Sequence, residues 1–220
     1  MFLSEIFDQL SYGELAQLKL GDGDEPGISK DNYSKVMAHV NMGLTELHKR
    51  FLLKEGESTI PVVNGTYVYA LDMNDLIKVE RVYALIDSEY VELELNNNTD
   101  SFLLPTYSAR TPNYKTLVIS TTLVTTELKV IYRATHPQLV KSVGYFNPNT
   151  VVVSLPYSHL EALLYYIASR IMNPIGMSQQ FHDGNNFAAK FEQSCMQLEM
   201  KNLQVDQTAY NNRLERNGWV

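Results

Sequence analysis

The sequence predicts an α+β protein in which a helical bundle, formed by the N- and C-terminal helices, carries an inserted antiparallel β-module. Apolar residues repeat at helical spacing over 1–58 and again over 154–200, whereas over 59–153 they alternate at the period of a strand. Runs of like elements in this order are typical of α+β proteins and not of a doubly wound sheet. The remaining residues, 201–220, lose the apolar pattern and are predicted to form a C-terminal arm.

Residues 2–18 are predicted to form a short amphipathic helix, because apolar residues recur at i, i+4 and i+8 from Phe2. The Gly- and Asp-rich stretch 21–27 that follows is typical of a loop. It superficially resembles the opening of a calcium-binding loop, but Pro26 stands at a ligand position and no Glu closes the motif. We therefore interpret it as a solvated acidic turn.

The second predicted helix has the most regular pattern in the chain. Ser29 or Asp31 can cap its start, and Gly56 can end it. Lys49 and Arg50 stand in its last turn, where cations complement the negative end of the helix dipole. Contact of this basic turn with DNA or with a neighbouring subunit is the lesser alternative. A continuous apolar stripe, suited to packing on other helices, consists of Tyr33, Met37, Val40, Leu44, Leu47 and Phe51.

Three strand pairs are predicted in the β-module. They are a hairpin in 62–67 with Asn64-Gly65 as its tight turn, 76–86 with 90–95, and 114–120 with 127–133. The segment 136–149 is rich in Pro and Gly and is predicted to be a long exposed loop. This loop and the loop 96–101 are interaction candidates, although ordinary solvent-exposed turns are the somewhat favoured interpretation of both.

Two helices are predicted to close the chain. Residues 157–172 have a broad apolar face, with Pro156 near the start, where its missing N–H costs little. Residues 174–186 are predicted to form a polar loop, and the last helix to begin near Asn185. Its aligned apolar residues are Phe187, Phe191, Cys195 and Leu198.

The net charge of −7 and the pI near 5.2 argue against a protein that coats nucleic acid, which would carry a basic face. They allow a protein past which DNA slides, because an acidic wall repels phosphates. Cys195 is the only cysteine, which predicts a reducing compartment and no internal disulfide. The absence of a signal peptide and of a stretch of about 20 apolar residues predicts a soluble protein without a membrane anchor.

No motif for an enzyme, a cofactor or a metal is found. The nucleophile elbow, the P-loop, the dinucleotide fingerprint and the zinc-protease motif are absent from the sequence. His39 and His48 lie off the apolar stripe of their helix and are predicted at surface or groove positions. Cys195 lies in line with apolar residues and is predicted to be a buried, inert thiol.

The candidate interaction site is the arm 201–220. Trp and Arg are enriched among the residues that dominate protein interfaces, and a terminal Trp without apolar neighbours is hard to bury in its own domain. A tail that packs back on the bundle or frays is an equal alternative. The candidate residues are Tyr210, Arg213, Leu214, Arg216, Trp219 and Val220.

Three segments resemble the head-to-tail adaptor, or connector, proteins of tailed bacteriophages. They are Leu10-Ser-Tyr-Gly-Glu-Leu-Ala-Gln-Leu, Asn41-Met-Gly-Leu-Thr-Glu-Leu-His-Lys-Arg-Phe51, and the segment from Leu155 to Arg170 with the loop and long helix after it. These segments cover both helical parts of the chain. The β-module resembles the family only in being an insertion at that place.

The resemblance implies a structural virion protein that forms a ring, dodecameric in this family, beneath the portal. Such a ring extends the DNA channel and provides the platform for tail attachment. The implied partners are the portal protein, bound by the arm 201–220, and a tail or nozzle protein, while DNA passes without sequence-specific binding. The broad apolar face of 157–172 would suit contacts between copies. The implied location is the virion neck, after assembly in the host cytoplasm.

Two other functions remain open from the sequence. One is a different oligomeric virion part, such as a neck or tail-completion protein. The other, less favoured, is a ligand-binding domain or an enzyme whose site is not visible in the sequence.

Overall fold

A computed structural model of the chain describes residues 1–16, 27–96, 104–140, 146–172 and 178–201, with the side chains of 178–182 left out. In this part of the chain the fold is α+β, as predicted. The arm beyond Lys201, the acidic turn over 21–26, and parts of both candidate loops lie outside the described residues.

The four described α-helices are α1 (Leu3–Tyr12), α2 (Tyr33–Arg50), α3 (Leu160–Met172) and α4 (Ser178–Met200). Two short 3-10 helices, Pro148–Thr150 and Tyr157–His159, precede α3. Helix α3 contacts each of α1, α2 and α4. The predicted stripe of α2 is confirmed, because its residues from Met37 to Phe51 are buried in one cluster with the apolar residues of α1, α3 and α4. None of the described helices combines the length and the apolar character that crossing a bilayer would require.

Seven strands form one mixed sheet. They are β1 (Glu55–Pro61), β2 (Val68–Ala70), β3 (Leu76–Ile86), β4 (Glu89–Leu95), β5 (Ser108–Asn113), β6 (Thr116–Ile119) and β7 (Glu127–Ala134). Their order in the sheet is β1-β7-β3-β4-β5-β6-β2. The predicted β3–β4 hairpin is confirmed, and its two turn residues, Asp87 and Ser88, both have positive φ, as a tight two-residue turn requires.

The sheet is curled, as its order and its connections require. Strands β1 and β2 are its two edges, yet only the segment 62–67 joins them along the chain. This segment can span roughly 25 Å at most, so the two edges cannot lie as far apart as in an open, flat sheet. The curled sheet encloses a second apolar cluster, made of Tyr69, Leu71, Val79, Val82, Ala84, Leu93, Ala109, Leu117, Ile119, Leu123, Leu128 and Val130.

Two predicted strand pairs are wrong. A turn at Asn64-Gly65 forms, with Gly65 at φ +80°, but β1 pairs with β7 and β2 pairs with β6. The strands within 114–120 and 127–133 are likewise not partners, because β6 lies between β5 and β2 and β7 between β1 and β3. A turn signal predicts where the chain reverses, whereas the partner of a strand depends on which apolar faces share a core. The sheet is also not purely antiparallel, since β4 and β5 are parallel.

Several predicted helix ends are wrong as well. Helix α1 ends at Tyr12, and Phe2 precedes it and stays 44% exposed. Helix α2 begins at Tyr33, so neither Ser29 nor Asp31 takes the capping position. Helix α4 begins at Ser178, so the segment from there to 186 is helical and not a polar loop.

Gly56 provides a test of the close approach between β1 and β7. A Cβ atom at this position would lie 2.6 Å from Cε2 of Tyr132, its cross-strand partner. The Tyr132 ring cannot easily swing away, because its hydroxyl donates a hydrogen bond to Asp75 Oδ1 (3.0 Å). We therefore expect Gly56→Ala to lower the free energy of unfolding by roughly 1–3 kcal/mol in chemical denaturation.

The matched control is Thr59→Ala, at an exposed position of the same strand. It should cost less than about 1 kcal/mol, because it only changes strand propensity. Equal losses for the two variants would show that the Tyr132 ring does not constrain position 56.

Candidate interaction site

The described structure ends at the root of the C-terminal arm. The six arm residues predicted to bind a partner, from Tyr210 to Val220, lie outside the described residues. Helix α4 runs to Met200, and the backbone N–H of Lys201 donates a hydrogen bond to the carbonyl of Gln197 (3.0 Å). The arm therefore begins directly at a helix end, and the contacts of that end are the part of the site that the structure shows.

An arginine from α2 holds this helix end. Arg50 Nε lies 2.6 Å from Glu199 Oε1, and Nη2 lies 3.3 Å from Glu199 Oε2. Its third contact is from Nη1 to Glu192 Oε2 at 2.7 Å. Glu192 and Glu199 are two helical turns apart and thus lie on the same side of α4. We call these three residues the Arg50 clamp.

Electrostatics of the clamp favour the charged form of each partner. The hydrogen bonds to Glu199 and Glu192 hold the pKa of Arg50 above its ordinary value. The same contact lowers the pKa of Glu199. Charge-assisted, two-point hydrogen bonds of this kind are stronger and more directional than those between neutral groups. Sequence reasoning assigned Lys49-Arg50 to the helix dipole and missed the clamp, although the spacing of seven between Glu192 and Glu199 was a usable signal.

The residue after Arg50 belongs to the helical core. Phe51 ends α2, with its N–H donating to the Leu47 carbonyl (2.7 Å) and its side chain only 1% exposed. Its ring packs edge-on against His159, with 4.8 Å between ring centroids. Phe51 thus anchors the end of α2 in the helical core, directly beside the residue that pairs with α4.

The same turn of α2 is attached to the sheet. Arg133 of β7 donates through Nη1 to the Lys49 carbonyl (2.7 Å) and through Nε to Glu80 Oε1 of β3 (2.9 Å). Three residues beyond Phe51, Lys54 Nζ lies 2.8 Å from Asp75 Oδ2, which lowers the pKa of that carboxyl. The end of α2 therefore contacts α4 on one side and the strands on the other.

Buried histidines surround this turn, and His48 is one of them, contrary to its predicted surface or groove position. His48 is only 2% exposed, and its Nδ1 lies 3.1 Å from the Ala134 carbonyl oxygen. Its ring lies 5.7 Å from that of His136, which is also buried. His159 is fully buried. Neither His48 Nε2 nor His159 Nε2 has a hydrogen-bond partner among the described residues.

Burial lowers the pKa of His48 and of His159. Electrostatic interactions with His136, Lys54 and His159 disfavour the protonated form of His48 and lower its pKa further, while its hydrogen bond with the Ala134 carbonyl opposes the shift. His39 is half-buried, at a position compatible with the predicted groove, and burial lowers its pKa too. The site is therefore built for neutral imidazoles.

The segment after His136 is an exposed, irregular loop in its described part, as predicted, since Pro137, Gln138 and Val140 are exposed. Asn41 of α2 accepts the Leu139 N–H and donates to the Leu139 carbonyl, both at 2.9 Å. This reciprocal pair fixes Leu139 to α2 while the residues on either side of it stay exposed. The loop therefore remains an interaction candidate.

The described residues offer no arrangement typical of a metal centre or a reactive thiol. Within the described ranges, no group of three His, Cys, Asp or Glu side chains could hold a metal ion. Cys195 is buried, as predicted, and burial raises its pKa to about 11. A thiol with that pKa is almost entirely protonated near neutral pH, which fits the predicted inert role.

The sequence matches a protein-family model. The family model described as "SU10 adaptor protein" matches residues 11–216, which is nearly the whole chain and includes most of the arm. No curated protein matches the sequence.

The buried histidines predict loss of stability in acid. A histidine whose pKa is lowered in the fold contributes its full stability above its unfolded pKa of about 6.5 and loses it as the pH falls below that value. We expect the melting temperature to fall between pH 7 and pH 5, with each histidine contributing at most about 1.4 kcal/mol per pH unit.

The variant His159→Phe removes one of these groups and keeps a ring against Phe51. We expect its melting temperature to fall less steeply with decreasing pH than that of the native chain, in scanning calorimetry at matched ionic strength. An unchanged slope would exclude His159 as a source of the acid sensitivity. A similar melting temperature at pH 7.5 is the control for folding.

Proposed function

This chain belongs to the SU10 adaptor protein family, a family of phage head-to-tail adaptors, and we propose that its copies form a ring beneath the portal. The family identifies a structural virion component of the head-to-tail junction. In our proposal the ring is dodecameric, extends the DNA channel and provides the platform to which a tail or nozzle protein attaches. We propose no catalytic activity for it.

The observation that carries the proposal is the extent of the family match. It covers the segments over 10–18, 41–51 and 155–170 on which the resemblance was noted, apart from Leu10, and continues past the root of the arm to residue 216. The match therefore does not rest on the β-module alone or on a single helix. The proposed organisation keeps a helical bundle over 1–58 and 154–200 and a β-module over 59–153. The two separate apolar clusters, one among the helices and one inside the sheet, support this division.

Contacts between copies must use surfaces other than the one that the sequence suggested. The broad apolar face of α3 is consumed within the subunit, since Leu163 and Ile167 are fully buried among the helices. Exposed apolar side chains occur instead on α4, where Met196 is 54% and Met200 76% exposed. These two lie beside the root of the arm, so we propose the outer side of α4 as part of an interface with a neighbouring copy or with the portal.

The arm 201–220 is the proposed portal-binding segment. It leaves the subunit from a helix end that is clamped by Arg50, and it carries the six candidate residues, which include two arginines and the only tryptophan of the chain. Arginine and tryptophan provide much of the binding energy in protein interfaces. The net charge of −7 suits a channel that releases DNA, because an acidic surface repels phosphates.

Removing residues 210–220 tests the arm. The truncated chain should keep the melting temperature of the full chain, because the deletion begins well beyond α4, and should lose binding to the portal protein of the same virion in a pull-down or by interferometry. The matched control is Tyr114→Ala, which removes an exposed aromatic residue at the β5–β6 turn. Portal binding by the truncated chain at native affinity would show that the arm assignment is wrong.

Assembly itself provides the second test. Mixed with assembled portal, the chain should enter a complex whose mass, by light scattering, matches a ring of about twelve copies per portal ring. Free chain alone is not decisive, because heterologous contacts between copies can need the portal as a template. A chain that stays monomeric with the portal present would contradict the ring.

A further inference from the structure

We infer that Arg50 is a positioning residue: it fixes the end of α4, the described helix end after which residues 201–220 follow in sequence, relative to the β-sheet. The inference rests on the proposed role of the arm in portal binding. It adds that the subunit holds the helix end before the arm in place. It assigns a role in partner binding to a side chain that does not belong to the arm.

The last two turns of α4 are buried on one side only. In its last two turns, Ser194, Cys195 and Leu198 are buried, while Met196 and Met200 are exposed. Apolar contacts therefore hold the end of α4 from one side only. Among the described residues, Arg50 makes the only ion pairs to α4.

The Arg50 clamp lies at the C-terminal end of α4. Glu199 is the second-last residue of α4, next to Met200 and the arm. Seven residues earlier, Glu192 is about 10 Å away along the helix axis. Because one guanidinium holds both carboxylates, it restrains the rotation of α4 about its axis as well as its end. Arg50 is 24% exposed, whereas Glu199 is 36% and Glu192 55% exposed, so solvent screens the contact with Glu192 more than the contact with Glu199.

The backbone that carries Arg50 is itself held in place by other elements. The backbone of α2 at this point is fixed by the buried Phe51 ring and by the hydrogen bond from Arg133 to the Lys49 carbonyl. Arg133 is itself paired with Glu80 at 2.9 Å, so the end of α2 is tied to both β7 and β3. Movement of the end of α4 relative to the sheet would have to break the clamp. The end of α4 is therefore held relative to the β-module.

The experiment compares Arg50→Gln with Lys129→Gln. The control variant breaks an ion pair of similar length, Lys129 Nζ to Glu57 Oε1 at 2.8 Å, on the sheet and away from α4. We expect Arg50→Gln to weaken binding to assembled portal at least tenfold and Lys129→Gln to leave the Kd unchanged. Amide exchange over 196–201 should become at least tenfold faster in Arg50→Gln and stay native in the control.

Two further variants separate positioning from folding. Glu199→Gln removes the two-point partner at a more exposed position and should reproduce both effects in a weaker form. The charge-swapped pair Arg50→Glu with Glu199→Arg should regain a substantial part of the portal affinity, which a simple loss of stability would not explain.

The outcomes distinguish this inference from the function on which it rests. Native portal affinity for Arg50→Gln, together with loss of binding on truncation of 210–220, would overturn the role of Arg50 and keep the arm. Native affinity for the truncated chain would overturn the arm assignment, and the role of Arg50 with it. Weaker portal binding by Arg50→Gln without faster amide exchange over 196–201 would also contradict the positioning role, because it would indicate that Arg50 contacts the portal directly.

Discussion

The turn at the end of α2 is the constraint on which the rest of the structure depends. Phe51 is buried in the helical core, and the neighbouring side chain, Arg50, pairs with Glu192 and Glu199 of α4. At the same turn the Lys49 carbonyl accepts a hydrogen bond from β7. Only three residues separate Phe51 from the first strand, so the helices and the sheet cannot move independently here. A single short segment thereby sets the relation between two separate apolar cores.

Charge at this turn is arranged so that each cation is neutralised locally. Arg50 is paired with glutamates of α4, Arg133 with Glu80, and Lys54 with Asp75. The basic character that the sequence shows at residues 49–54 is therefore largely used within the subunit and leaves little of it for nucleic acid. Neutral imidazoles fill the space behind the turn, because adding a charge to a buried ring without a partner is costly. The net charge of −7 is consistent with a wall that DNA passes and does not bind.

The sheet shows how far local patterns can predict a fold. Alternating residues and turn signals identified β3, β4 and β7 closely, since each strand needs one face against a core. They did not identify partners. Strand β7 lies between β1 and β3, and β1 lies at the far edge from β2, although β1 and β2 are neighbours in sequence. Pairing over such separations depends on the shape of the enclosed core and leaves no signal in either strand alone.

The sequence by itself determined the α+β class, the stripe of α2, the buried state of Cys195 and the family of the chain. All four follow from residue spacing or from patterns that a single segment contains. Only the tertiary structure decided the strand order, the burial of His48 and the partners of Arg50. Each of these joins residues far apart in the chain, as the clamp does across 149 positions between Arg50 and Glu199. Periodicity reports the environment of a helix or strand, and it does not report which distant element supplies that environment.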